Sequence, residues 1–345
     1  MTDINRGAIR SNQDILNGQE FTETPSQCLE TAILLPALNE EDTIGRTIRS
    51  IFEQDFEEPF EIILSDHSSH DRTLDIMRDM AERYDGPHRI RLFQAPREYG
   101  DTIKGMNQHV NWLMDRLGNK FFIQSCADDV EWPNRVRRMV ETWRETGAGY
   151  VTGTQEFILP SGVKYESNIG QTRFVQPEEQ IKELFRNPSM NGASCWDAQL
   201  WRRYGPLPGR WASDLVMPVW GGISTGAYHL GEIVRTFYIT GKQTGYGSQF
   251  MASTDAIKQI QLNERMSFDR IGMSMYYIDM LELEIRRETH EVPYVDKVTA
   301  EQQAQRIKHL RWMYARALNS MFVRTADYCT VREELMRQQI PILQD

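Results

Sequence analysis

Four short apolar runs, TAILL, EIILS, IRLFQ and FFIQS, occupy residues 31–35, 61–65, 90–94 and 121–125. They recur at intervals of about 30 residues, the length of one strand-plus-helix unit. The stretches between them repeat apolar positions at helical spacing over residues 41–53, 72–84 and 102–117, with Ile44, Ile48 and Ile51 on one face of the first. Alternation of this kind predicts an α/β fold, a mainly parallel sheet flanked by helices. Open sheets of that type bind ligands beyond the carboxyl ends of their strands, so the residues after each strand carry the candidate chemistry.

The rest of the chain reads differently. Residues 1–29 are polar and aperiodic, contain the turn-like ETPSQ, and form an N-terminal extension. Residues 30–150 hold the strand–helix alternation, residues 151–262 are richer in Gly and Trp, and residues 263–345 form a helical C-terminal region. Trp196, Trp201, Trp211 and Trp220 are four of the eight tryptophans; each can fill a core or offer a flat face to a sugar ring. Near the end, Ile307, Leu310, Tyr314, Ala317 and Met321 follow the 3,4,3,4 spacing of a docking seam, with Arg306, Lys308, Arg311 and Arg316 beside it. That seam predicts a cap on the domain or a homo-oligomer contact through the C-terminal helices, with a membrane surface as the other partner of suitable chemistry.

Composition narrows the classes. With 345 residues, 40% hydrophobic and 26% charged, the chain can bury a sizeable core. A net charge of -10 argues against a protein that tracks a phosphate backbone. Cys28, Cys126, Cys195 and Cys329 lie far apart without C-x-x-C spacing, which disfavours a zinc site or a disulfide scaffold. No apolar run approaches the roughly 18 residues of a membrane span, and the first residues lack a secretory apolar core, so a cytoplasmic location is expected.

The strand ends are acidic. PALNEED follows the first strand, where Glu40, Glu41 and Asp42 suit a helix N-terminus. SDHSSHDRT follows the second; Asp66, His67, His70 and Asp71 can be read as metal ligands, or Ser69 and Asp71 as caps of the next helix. PREYGD follows the third, and QSCADDVEWPNR the fourth, with Asp128 and Asp129 adjacent. Acids at three of four neighbouring strand ends call for a hard cation if the ligand is anionic. Mg2+ or Mn2+ takes one or two carboxylates plus phosphate oxygens, which points to a nucleoside diphosphate.

At these residues the chain resembles family 2 glycosyltransferases of the GT-A fold over roughly residues 31–240. Pro36, Ala37, Leu38, Asn39, Glu40 and Glu41 stand where that family has P-A-Y-N-E-E, and residues 66–73 stand where it has D-D-G-S-x-D-x-T. Gly100 precedes Asn107 by the family's seven residues, residues 126–136 follow D-x-D-D…P-x-R/K-L, and Gly192, Ala193 and Ser194 form its small loop. Cys126 replaces the first acid of the D-x-D-D pattern, His67 and Ser68 replace an Asp and a Gly, and RTFYITGKQ lacks the family's Y-R-x-H, with Lys242 as a substitute cation.

The resemblance implies roles. Asp66 reads the nucleotide base, Pro36, Ala37, Leu38 and Glu40 shape its pocket, Gly100 and Asp101 close it, and Asp128 approaches the ribose or the metal. Asp129 holds the Mg2+ or Mn2+ ion on the diphosphate of a nucleoside diphosphate sugar, a UDP-sugar first. Asp214, in RWASDLVMPVWGG, is the general base of a single displacement with inversion, and its structural alternative is a helix N-cap. Trp196 and Trp211 are the acceptor-side aromatics. Residues 30–150 bind the donor and 151–262 the acceptor, which is a glycan, a lipid-linked glycan, a protein or a modified nucleobase. Rival readings are a nucleotidyltransferase, a GT-A module that binds without transfer, and a hydrolase built on GISTG with Ser224, Asp255 and His290.

Overall fold

The computed structural model describes residues 28–95, 99–100, 102–166, 171–175, 193–240, 249–250, 252–289, 300–338 and 340–341. The predicted extension and Asp101 lie almost wholly or wholly outside these residues. Strands β1 (Thr31–Ala37), β2 (Glu61–Asp66), β3 (Arg89–Gln94) and β4 (Phe121–Gln124) form where the four apolar runs lie. They are buried along their length except β3, whose partly exposed pattern suits its place at the sheet edge. All four run parallel in the order β3-β2-β1-β4, so β1 has neighbours that precede and follow the turn in strand order. That switch point between β1 and β4 is where open sheets take ligands.

The intervening segments are helices α1 (Ile44–Phe52), α2 (Thr73–Glu82) and α3 (Ile103–Met114). Ile44, Ile48 and Ile51 are fully buried under one face of the sheet, as their spacing predicts. The Thr102 hydroxyl caps α3 by accepting from Gly105 N at 3.1 Å.

Beyond β4 the sheet departs from the all-parallel expectation. After β5 (Val130–Glu131) and α4 (Arg135–Thr146) come β6 (Tyr150–Ile158), β7 (Lys164–Glu166), β8 (Arg173–Val175) and β9 (Cys195–Asp197). The short β9 pairs antiparallel with both β4 and β6 and welds the two halves into one sheet. Helices α5 (Ala198–Tyr204) and α6 (Ser213–Ile223) precede β10 (Ala227–Tyr238), which pairs parallel to β6 and antiparallel to β5. Residues on either side of position 150 therefore share one sheet and one core.

Two long helices close the chain, α7 (Ala256–Thr289) and α8 (Ala300–Arg337). Leu310, Met313 and Ala317 of α8 join Met273, Tyr277 and Leu281 of α7 and Trp220 of α6 in one buried cluster. The seam read from the sequence is thus consumed inside the chain, as the cap alternative required. No described helix is long and apolar enough to cross a membrane.

Backbone packing at α3 makes a direct prediction. A Cβ on Gly105 would stand 2.1 Å from the Tyr99 carbonyl oxygen, whereas one on Gly45 would meet its nearest atoms at 3.7 and 3.8 Å. Gly105→Ala is expected to lower unfolding free energy by about 1–3 kcal/mol, and Gly45→Ala to raise it by up to about 1 kcal/mol, both read from urea denaturation.

Candidate active site

The first two strand-end loops are laced together. Asn39 N donates to Ser69 Oγ at 2.9 Å, His70 N to Asn39 Oδ1 at 2.8 Å, and Glu40 N to Thr73 Oγ1 at 2.7 Å. Asp71 accepts from Glu41 N at 3.1 Å and from Thr73 N at 2.9 Å. Asp71 therefore works as a cap and cross-tie, and the described residues contain no cluster of three or more His, Cys, Asp or Glu side chains placed to hold a metal. The buried His67 ring lies 4.7 Å from that of His109, whose Nε2 pairs with Ser65 Oγ at 2.7 Å.

Asn39 and Ser68 both adopt left-handed backbone, with φ of 56° and 60°. Asn tolerates that region; Ser68 stands where the resembling family has Gly, and its hydroxyl donates to Ala95 O at 2.6 Å. This buried bond offsets the steric penalty that a side chain incurs there. The turn it completes sets Asp66, whose carboxylate accepts from Ser69 N at 3.1 and 3.2 Å, at the carboxyl end of β2. Gln94 Nε2 also approaches Oδ2 at 3.5 Å, and Asp66 is fully buried.

The Cys126–Asp129 loop, after β4, is gripped from α1. Arg46 Nη2 donates to Asp128 O at 2.7 Å, and Thr47 Oγ1 lies 2.9 Å from Ala127 O and 2.7 Å from Asp129 O. Held this way, the two acids part company. Asp128 is half-buried at the mouth, whereas Asp129 is fully enclosed, 3.2 Å from Arg235 Nη1, and accepts from Tyr238 N at 3.2 Å. Burial pushes the Asp129 carboxyl up against the pull of Arg235. A second buried pair, Glu131 with Arg135, lies behind; Ser125 Oγ also donates to Glu131, and Arg135 Nη2 donates to Gln124 O at 2.6 Å.

Of the two acids Asp128 is the more exposed, whereas Asp129 Oδ2, which lacks a hydrogen-bond partner, faces Arg235. Metal bound at Asp129 would displace a buried guanidinium and leave that charge unpaired. Cys126, which replaces an acid of the family pattern, accepts from Arg235 Nη1 at 3.3 Å, and burial holds its thiol up at about 12. Its place beside Arg235 makes it part of the support. Sequence reasoning missed Arg235, and the only signal for it was an arginine in the apolar run IVRTFY.

Across the mouth, α3 positions α6. Asn107 Nδ2 donates to the carbonyls of Pro208 and Trp211, and Asn111 exchanges two bonds with Leu207, at 3.1 Å to its oxygen and 2.8 Å from its nitrogen. Ser213 Oγ donates to Gln124 Oε1 at 2.8 Å, which ties the start of α6 to the end of β4. Asp214 follows in the first helical turn, not at the N-cap, which is Ala212. Its Oδ1 is buried without a hydrogen-bond partner. Burial pushes its carboxyl up to about 6, while Arg235 and the helix N–H groups of Asp214 and Leu215 draw it down. Arg235 acts electrostatically on both Asp129 and Asp214, so β10 links the two sides of the mouth.

Other expected residues sit as follows. Pro36 and Ala37 are buried at the end of β1, Leu38 and Glu40 are half-buried, and Gly100 is exposed with φ of 68°. The tryptophans expected at the acceptor are core residues: Trp196 is wholly buried in β9 and Trp211 is 7% exposed. Pairing of β9 between β4 and β6 turns Trp196 inward beside Phe122, and Trp211 packs on Gly272 of α7. GISTG lacks its strand, because Gly222 and Ile223 are the last residues of α6 and Ser224 Oγ donates back to Trp220 O at 2.6 Å. Gly192, Lys242 and His290 lie outside the described residues.

The open sheet, with acids at its switch point, has the GT-A fold. Solved structures of S. aureus TarS share the fold. The complex with UDP-GlcNAc gives a TM-score of 0.54 at 15% identity, covering 92% of this chain and 94% of that one. The complex with UDP gives 0.52 at 15%, covering 90% and 92%. Residues 32–198 match the family described as glycosyl transferase family 2. That match takes in just under half of this chain and marks those residues as similar to that family. Glycosyltransferase AglE of Haloferax volcanii is 22% identical over 153 residues, 44% of this chain and 48% of AglE; the match spans about half the length of that curated relative.

The buried pair yields a stability test. Arg235→Met is expected to cost about 3–5 kcal/mol by stranding the Asp129 charge, and Arg235→Met/Asp129→Leu to recover most of it. Calorimetric unfolding of wild type, both single variants and the double variant completes the cycle; a double-variant loss equal to the sum of the single losses would mean that the pair is not coupled.

Proposed function

We propose that the chain transfers a sugar from a nucleoside diphosphate sugar to an acceptor hydroxyl in one displacement with inversion at the anomeric carbon. The observation that carries this reading is Asp214: a helix-borne carboxylate with a bare buried oxygen, raised toward neutrality, opposite the acidic end of β4. A base of that kind is ionised at neutral pH and still basic enough to accept a hydroxyl proton.

In this reading residues 30–150 bind the donor and residues 151–262 the acceptor. Asp66 accepts a hydrogen bond from the base, and the β1 end from Pro36 to Glu40 and Gly100 line the nucleotide. A UDP-sugar is the first donor to test, since TarS was crystallised with UDP and with UDP-GlcNAc. Asp128 holds the Mg2+ or Mn2+ ion in place of Asp129. Bound there, the ion is a Lewis acid that offsets charge on the leaving diphosphate. Asp214 Oδ1 takes the acceptor proton as the acceptor oxygen bonds to the anomeric carbon, and the bond from that carbon to the diphosphate oxygen breaks on the opposite face. The proton on Asp214 then passes to solvent.

Turnover of UDP-sugars is expected to fall as pH drops through about 6, because protonating Asp214 removes the base. Asp214→Asn should lower kcat by about 10²–10⁴-fold while leaving the UDP-induced rise in melting temperature intact. Undiminished kcat in that variant rejects Asp214 as the base. Absence of any melting shift with UDP-, GDP-, CDP- or TDP-sugars in Mn2+ or Mg2+ rejects the transferase reading as a whole.

A further inference from the structure

Helix α8 carries two seams. The inner one, through Leu310, Met313 and Ala317, is buried against α6 and α7. The outer one runs through positions 312, 315, 319, 322, 326, 329, 333 and 336, spaced alternately by three and four residues. It includes Trp312, Phe322 and Met336, which are 42%, 68% and 72% exposed, with Val323 beside them at 55%. Sustained 3,4 spacing over three heptads is the pattern of a helix that packs along a second helix. From residue 312 to 336 the stripe is about 36 Å long at the α-helical rise.

Its exposed acids lie toward the C-terminal end, where Arg332, paired with Glu264, and the exposed Arg337, paired with Glu334, also stand. Lys308, Arg311 and Arg316 are exposed toward the N-terminal end, and Arg316 lies over the Trp312 ring at 4.8 Å; Asp327 and Glu333 are exposed toward the C-terminal end. Two copies laid parallel would set like charges together. Laid antiparallel about a dyad beside Phe322, they set Arg311 opposite Glu333 of the second copy and Arg316 near its Asp327. That pairing also accounts for an acid, Glu333, within an otherwise mostly apolar seam. Asn319 fits as the polar seam residue that fixes register. An anionic membrane would attract the basic half and repel Asp327 and Glu333 on the same face, so a second copy suits the face better.

We propose that the chain forms an isologous antiparallel homodimer through the outer face of α8. Such a contact is closed by its two-fold axis and leaves no free copy of the seam. It lies apart from the proposed transfer site and stands whether or not transfer occurs.

Sedimentation equilibrium of the full chain at tens of micromolar is expected to give twice the mass of one chain. Phe322→Asp should give a monomer with unchanged melting temperature. Arg311→Glu should also give a monomer, and Arg311→Glu/Glu333→Arg should restore the dimer, which loss of folding could not mimic. A monomeric wild-type chain, a dimer that survives both single substitutions, or a double variant that stays monomeric would overturn the proposal. So would Phe322-dependent sedimentation of a monomer with phosphatidylglycerol vesicles.

Discussion

Arg235, a guanidinium cut off from water, sets the geometry of the mouth. It pairs with Asp129, accepts Cys126 as a neighbour, and donates to Gln155 Oε1 at 3.2 and 2.7 Å. A buried charge of this kind is tolerable only when its partners are in place. The loop after β4 is consequently held from two sides, by Arg235 from β10 and by Arg46 and Thr47 from α1. With Asp129 turned inward, its neighbour Asp128 is left at the surface of the mouth. Adjacent carboxylates thus stand in different surroundings: Asp129 is enclosed beside Arg235, and Asp128 is half-buried.

The opposite wall is built by different means. Asn107 and Asn111 hold residues 207–211 through backbone groups, and Ser213 bonds to Gln124. These contacts deliver Asp214 to the first turn of α6, where its Oδ1 is buried without a hydrogen-bond partner. The side chains that fix the site are mostly not those expected to touch substrate. Substitution at Asn107 or Arg235 would alter the site through position, with the ligand-facing carboxylates unchanged.

Much of the first half was legible in sequence. The four apolar runs became β1–β4, and α1, α2 and α3 fall inside the predicted helical stretches, because local periodicity and burial on both sheet faces agree there. The acidic strand ends were found by position after a strand, and Asp214 through the family resemblance. Contacts between distant segments were not legible. Nothing local announces that Arg235 meets Asp129, or that β9 inserts between β4 and β6 and draws Trp196 into the core. The inner seam of α8 was read correctly as a packing surface, yet its spacing could not say whether the partner was α7 or another molecule. Ser68 shows the converse: a family glycine is replaced, the left-handed backbone is kept, and a hydroxyl bond to Ala95 makes up the difference.

The proposed division of labour between Asp128 and Asp129 is tested most directly by titrating UDP with Mn2+ into three proteins by calorimetry: wild type, Asp128→Asn, and the apolar double variant Asp129→Leu/Arg235→Met. If Asp129 is structural, Mn2+ strengthens UDP binding in the double variant as in wild type, and Asp128→Asn abolishes that gain. Retention of the gain in Asp128→Asn, together with its loss in a folded double variant, would contradict the account and return the ion to Asp129.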